Sequence, residues 1–180
     1  MPYPMWSYFP KNERPPEWAR EFADVVARHR LDIDTTIEGM AERLSSDAVT
    51  QLLRPDLEAI GYQVERGKKA AEKIYRPVLF GENGIAEVTY EIDAFHDELG
   101  IAVEIEAGRG AKGNADYRDI VRTSLLLDAE YMALLLPITY RYGANNARAS
   151  AYSATRGQLS AIYASQRLRL PFDGVLLIGY

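Results

Sequence analysis

The chain lacks cysteine altogether and has only two histidines among its 180 residues. Disulfides, thiolate metal sites and cysteine nucleophiles are therefore excluded. His29 and His96 alone cannot build a multi-histidine zinc site. Any bound metal is expected to be a hard cation with oxygen ligands, namely Mg²⁺, Mn²⁺ or Ca²⁺.

The sequence also has no apolar run of membrane-spanning length and no basic and then hydrophobic leader at its N-terminus. We therefore expect a cytoplasmic protein with no membrane partner. The G-x-x-x-x-G-K-[ST] pattern is absent, so no nucleotide cofactor is expected. The hydrophobic fraction of 47% is typical of a folded protein, and the length fits a single domain over residues 1–180.

Three parts of different composition make up this domain. Residues 1–16 hold five of the nine prolines and four aromatic residues, which predicts an extended strap. Residues 17–61 have apolar positions at helical spacing, which predicts an N-terminal helical segment. Residues 62–180 alternate between strand-like and helix-like patterns. We expect them to form an α/β core with a mixed β-sheet flanked by helices.

The clearest local pattern lies between residues 86 and 107. Two runs that alternate apolar and polar residues, Val88–Phe95 and Ile101–Ala107, flank turn-forming residues at Asp97–Gly100. This pattern predicts a β-hairpin in which the numbers of opposed residues sum to 197.

That register places four acids on one face of the hairpin. Asp93 faces Glu104 and Glu91 faces Glu106, with opposed Cβ atoms roughly 4.5–5.5 Å apart. Like charges in such positions are destabilising, and no lysine or arginine lies within the hairpin. Such a cluster needs a compensating cation, a proton or free exposure to water, and a divalent cation is the most specific of these answers. The alternative is a hairpin face that is simply solvated.

A glycine-rich loop at residues 108–113 leaves the second strand and enters a helix that runs from Asn114 to about Asp128. Arg109 and Lys112 give the loop positive charge, and a helix N-terminus favours anions. We expect the loop to contact phosphate groups. The alternative is an ordinary strand-to-helix connection.

Charge is unevenly distributed along the chain. Residues 131–172 contain no acid, although the net charge of the protein is −5. Tyrosines alternate there with arginines, a composition typical of surfaces that contact a nucleic-acid backbone. Residues 66–76 form a second basic cluster. Solvated helix faces would give the same composition. The arginines that we expect to bind nucleic acid are Arg141, Arg148 and Arg156, together with Arg109 and Lys112 of the loop.

This part of the chain has an acid on one strand, a turn, two acids separated by one residue on the next strand, and then a helix. This order resembles the PD-(D/E)xK nuclease superfamily. The matching residues are Ile92-Asp93 and Glu104-Ile105-Glu106. The E-x-E form, with glutamate in place of the usual lysine, is similar to the BamHI/BglII-type restriction endonucleases. Ile92 stands where the motif has proline.

The resemblance covers residues 47–138 and implies a restriction-endonuclease-like fold. It also implies a Mg²⁺-dependent or Mn²⁺-dependent endonuclease of restriction or repair type that acts on DNA as a homodimer, with RNA left open as the substrate. Asp93, Glu104 and the main-chain carbonyl of Ile105 would bind the metal.

Catalysis would then depend on Glu106, which would orient or activate water, or on Lys112 in place of the missing lysine. Glu58, on the preceding helix, is a further candidate acid. Two other functions remain open. One is a non-catalytic module on a degenerate nuclease fold that binds nucleic acid or protein, and the other is a small-molecule enzyme that uses the carboxylates as acid and base.

Overall fold

The computed structural model describes residues 2–37, 44–107, 114–142 and 147–180. The described residues form five α-helices and ten β-strands. The helices are α1 (Glu17–Arg28), α2 (Arg30–Ile33), α3 (Ser46–Ala59), α4 (Ala115–Thr123) and α5 (Ala151–Ala164). The strands are β1 (Met5–Phe9), β2 (Gln63–Val64), β3 (Ile74–Phe80), β4 (Ala86–Ile92), β5 (Ala94–His96), β6 (Ile101–Ile105), β7 (Tyr131–Leu136), β8 (Tyr140–Tyr142), β9 (Ala147–Ala149) and β10 (Gly174–Gly179).

Six of the described strands form one mixed sheet in the order β1-β10-β7-β6-β5-β2. The three central strands β10, β7 and β6 are parallel, and the outer pairs are antiparallel. The other four strands form two separate hairpins, β3–β4 and β8–β9. The expected α/β class, with a mixed sheet flanked by helices, is confirmed.

Helices cover both faces of the central strands. Along β7, Ala133 and Leu135 face α1 and α3, whereas Met132 and Leu134 face α4 and α5. Strands buried on both faces have near-continuous apolar sequences, which explains the composition of β7 and β10. These strands therefore form the centre of the core, and β6 joins them at the side where the acids lie.

Strand β1 lies at the edge of the sheet, antiparallel to β10. The proline-rich composition around it favours an edge position, because proline cannot donate a hydrogen bond to a neighbouring strand. The ring of Tyr8 packs edge-on against Trp18 of α1, with ring centroids 6.4 Å apart. The N-terminal residues thus contribute directly to the main sheet.

Contact between β1 and β10 leads to a prediction about stability. A methyl group at Gly174 would overlap the buried side chain of Tyr8. We expect Gly174→Ala to destabilise the protein by about 1–3 kcal/mol, the usual cost of overpacking. Gly157→Ala is the matched control, because its added methyl group would meet nothing within 4 Å on helix α5.

The control variant is expected to be about 0.5–1 kcal/mol more stable than the wild type, since alanine favours a helix more than glycine does. Urea unfolding of the three proteins measures both effects. A Gly174→Ala variant as stable as the wild type would show that β1 does not pack against β10 in this register.

Within the described ranges, no helix has the length and apolar character needed to cross a membrane.

Helix α4 ends at Thr123, earlier than the expected Asp128, because the chain turns back there towards β7. The main-chain N–H of Leu127 then donates a hydrogen bond to the carbonyl of Pro77 at 3.1 Å.

Candidate active site

The site begins at a break between two strands. Residue Asp93 separates β4, which pairs with β3, from β5, which pairs with β6. The β5–β6 register opposes Ala94 to Val103, as the sum of 197 predicts, and its continuation places Asp93 beside Glu104. The two acids that the sequence singles out therefore lie together.

The other predicted opposition is wrong. The strand pairing with β6 ends at Ala94–Val103, and Glu91 lies on β4, where it pairs with Tyr75 of β3 and not with Glu106. The break at Asp93 directs the preceding residues into a different hairpin, whereas the sequence pattern is that of one continuous strand, Val88–Phe95. Glu91 therefore belongs to the surroundings of the site and not to its row of opposed acids.

Two main-chain contacts hold Asp93 in place. Its carboxylate Oδ2 accepts a hydrogen bond from the N–H of Ile105 at 2.6 Å. Its carbonyl oxygen accepts another from the N–H of Glu65 at 2.9 Å. The carboxylate is thus fixed against β6 at the position of Glu104 and Ile105.

Burial and neighbouring acids make these carboxyl groups reluctant to ionise. Burial raises the pKa of Asp93 to about 7, and the charges of Glu65 and Asp119 add to the rise. The pKa of Glu104 is raised well above its usual value by burial and then by the charge of Asp93. The pKa of Glu106 is raised to about 7 by burial and then by the adjacent carboxyl of Asp119. A cation among them would relieve this cost.

Helix α4 contributes an acid that the sequence interpretation did not include. Asp119 is 2% exposed, and its Oδ2 has no hydrogen-bond partner among the described residues. Arg118 lies 3.0 Å from Asp119 Oδ1 and 2.9 Å from Glu106 Oε1. The sequence did contain a signal that Asp119 faces inward. Asp119 has helical spacing with Ile120 and Thr123, and these three buried residues share one face of α4.

A lysine also lies near Asp93 and acts on its carboxyl through its charge. Lys73 Nζ is 2.7 Å from Glu65 Oε2 and 2.9 Å from Glu91 Oε1. The sequence pattern groups Lys73 with Lys68 in one basic cluster. In the structure Lys68 pairs with Asp47 at 3.0 Å, and so the two lysines contact different acids. The basic residues of 66–76 therefore point to different surroundings.

The remaining candidates lie on other elements of the fold or outside the described residues. Glu58 is exposed on α3, 3.9 Å from Arg54. Arg156 is exposed on α5 and Arg148 on β9. Arg141 pairs with Arg148 in the β8–β9 register, while Arg109 and Lys112 fall in the part of the chain that is not described.

Among the residues that the structure describes, two carboxylates, and not a complete set of protein ligands, are available to bind a metal. Within the described ranges, no three His, Asp or Glu side chains converge as a metal site. Mg²⁺ is usually held by one or two carboxylates, with water and substrate phosphate completing the shell. Asp93 and Glu104 supply those carboxylates, and the Asp119 carboxyl lies close enough to raise the pKa values of both.

Comparison with known proteins adds no family assignment. A scan against protein-family models matched none, and a search of curated proteins found no match. The nuclease interpretation therefore depends on the residues and the geometry of the site.

Proposed function

We propose that this protein is a Mg²⁺-dependent or Mn²⁺-dependent endonuclease that hydrolyses phosphodiester bonds in DNA. It would be a cytoplasmic homodimer of restriction or repair type on a restriction-endonuclease-like fold. The observation that supports this most is the pairing of Asp93 with Glu104 next to the Asp93–Ile105 hydrogen bond of 2.6 Å.

Asp93, Glu104 and the carbonyl of Ile105 are the groups that would hold the metal. When bound, Mg²⁺ would neutralise charge on the phosphate and lower the pKa of a water molecule. The raised pKa values of both carboxyls support this role, because an added cation stabilises their ionised forms.

Glu106 is the residue that we assign to proton transfer. Burial raises its pKa to about 7, close to the pH at which a general base is most effective. Arg118, 2.9 Å from Glu106 Oε1, holds the carboxylate in one orientation. Lys112 remains the alternative for this step, and it lies outside the described residues.

Exposed arginines support nucleic acid as the substrate. Arg156 on α5 and Arg148 on β9 are both exposed and belong to the acid-free residues 131–172. Arginines on such a surface favour contact with a phosphate backbone, for which DNA and RNA are equally suitable. We choose DNA because the E-x-E motif resembles restriction endonucleases.

One observation favours a second candidate, a non-catalytic module that binds nucleic acid. Glu106 stands where the motif has lysine, and it is already paired with Arg118. A degenerate site would keep DNA binding and show no metal affinity. Metal titration separates the two candidates without knowledge of the target sequence.

Titration calorimetry with Mg²⁺ and Mn²⁺ tests the proposal. We expect the wild type to bind metal and Glu104→Ala to bind it more than about a hundredfold more weakly, since losing a ligand costs more than losing an outer contact. Glu98→Ala is the matched control, because Glu98 is an exposed acid in the turn of the same hairpin. Equal binding by wild type and Glu104→Ala, or no binding by the wild type, would contradict the proposal.

A further inference from the structure

Lys73 connects two chain segments that meet at Asp93. It contacts Glu65, just after β2, at 2.7 Å and Glu91, near the end of β4, at 2.9 Å. We call these three residues the Lys73 bridge. Glu91 precedes Asp93 by two positions, and the N–H of Glu65 donates to the Asp93 carbonyl at 2.9 Å. The bridge therefore joins the end of β4 to the segment after β2 that bonds to the Asp93 main chain.

The bridge is buried at its centre. The side chain of Glu65 is 2% exposed and that of Lys73 is 13% exposed, whereas that of Glu91 is 42% exposed. A buried carboxylate without a cation is costly, so we expect loss of Lys73 to displace the Glu65 side chain and to loosen the main chain that carries it. Because the main chain of Glu65 bonds directly to Asp93, a shift of Glu65 is transmitted to Asp93.

We infer that Lys73 is the positioning residue of the candidate site. The Lys73 bridge fixes the chain at Asp93 and so directs the Asp93 carboxylate towards the Ile105 N–H and Glu104. The effect of Lys73 on metal binding rests on the proposed function. The effect of Lys73 on the position of Asp93 is independent of that function.

The sign of one measurement distinguishes positioning from simple electrostatics. If Lys73 acted only through its charge, its removal would leave more negative charge near the carboxylates and would tighten cation binding. If it positions Asp93, its removal weakens binding, because outer contacts that orient metal ligands are worth about ten- to a hundredfold in affinity.

The first experiment follows the Ile105 amide by NMR in the metal-free protein. With Lys73→Met we expect its proton signal to move upfield and its exchange with solvent to become about tenfold faster, as for loss of one charge-assisted hydrogen bond. Lys68→Met is the matched control, since Lys68 lies in the same segment and pairs with Asp47. An Ile105 signal that is the same in Lys73→Met and wild type would overturn the inference, whether or not the protein binds metal.

The second experiment measures Mn²⁺ affinity by calorimetry. We expect Lys73→Met to bind about tenfold more weakly and Lys73→Arg to recover most of the affinity. Tighter binding by Lys73→Met would overturn the inference. No binding by the wild type would refute the proposed function, while the Ile105 measurement would still decide the role of Lys73.

If Lys73→Met does not fold, Glu91→Gln provides the same test. It weakens only the more exposed contact of the bridge and leaves the buried Glu65–Lys73 pair intact. We expect the same upfield direction for the Ile105 signal, with a smaller change. An unchanged signal in a folded Glu91→Gln variant would overturn the role of the bridge.

Discussion

Replacing Asp93 with alanine is expected to abolish metal-dependent cleavage of DNA and to leave the fold intact. The Asp93 carboxylate bonds to the Ile105 N–H and lies beside Glu104, where it would hold the metal. Losing several kcal/mol of charge stabilisation at the transition state lowers the rate by about a thousandfold or more. The measurement is single-turnover nicking of supercoiled DNA with Mg²⁺ or Mn²⁺.

Because the target sequence is unknown, the assay uses a mixture of large, diverse DNAs in place of one short duplex. Glu98→Ala is the control, since it removes an acid from the exposed turn of the same hairpin. Circular dichroism compares the folds. Cleavage at the wild-type rate by a folded Asp93→Ala variant would exclude Asp93 as a metal ligand and remove the main support for the nuclease proposal.

The second large effect concerns stability and pH. The metal-free protein is expected to become less stable as the pH rises from 5 to 8. The pKa values of Asp93 and Glu106 are raised to about 7 and that of Glu104 is raised well above its usual value, whereas unfolded carboxyls titrate near about 4. The folded state thus binds more protons in this range, so stability falls as the pH increases.

A carboxyl whose folded pKa is raised contributes stability that is complete below its unfolded pKa and is lost as the pH rises through its folded pKa. One pKa unit corresponds to about 1.4 kcal/mol. Counting only part of these shifts, we expect the free energy of unfolding to fall by on the order of 2 kcal/mol between pH 5 and 8, which lowers the Tm by roughly 4–8 °C. Thermal unfolding in the presence of a chelator measures the change.

Glu104→Gln tests the cause. Removing this ionisable group is expected to raise the Tm of the metal-free protein at pH 8, while Glu98→Gln leaves it unchanged. If the site binds Mg²⁺, the cation should stabilise the wild type more at pH 8 than at pH 5, because the ligands must be ionised. A Tm that rises between pH 5 and 8 in the metal-free protein would contradict the expected burial of these acids.

Local pattern was sufficient to predict the β5–β6 hairpin and its register. The alternation of side chains and the turn at Asp97–Gly100 are properties of neighbouring residues, and Gly100 does adopt a positive φ of 61°. The pairing of Asp93 with Glu104 follows from them. The apolar strands β7 and β10 were predictable for a similar reason, since burial on both faces leaves a continuous apolar sequence.

Sequence by itself therefore determined the α/β class, the central strands and the pair of acids at the centre of the candidate site. Only the tertiary structure decided which other charges surround that pair. The break at Asp93, the approach of Asp119 from α4 and the contact of Lys73 with Glu65 depend on how separate elements pack. Packing between distant segments leaves no periodic signal in any one of them, because each contact is determined by both partners.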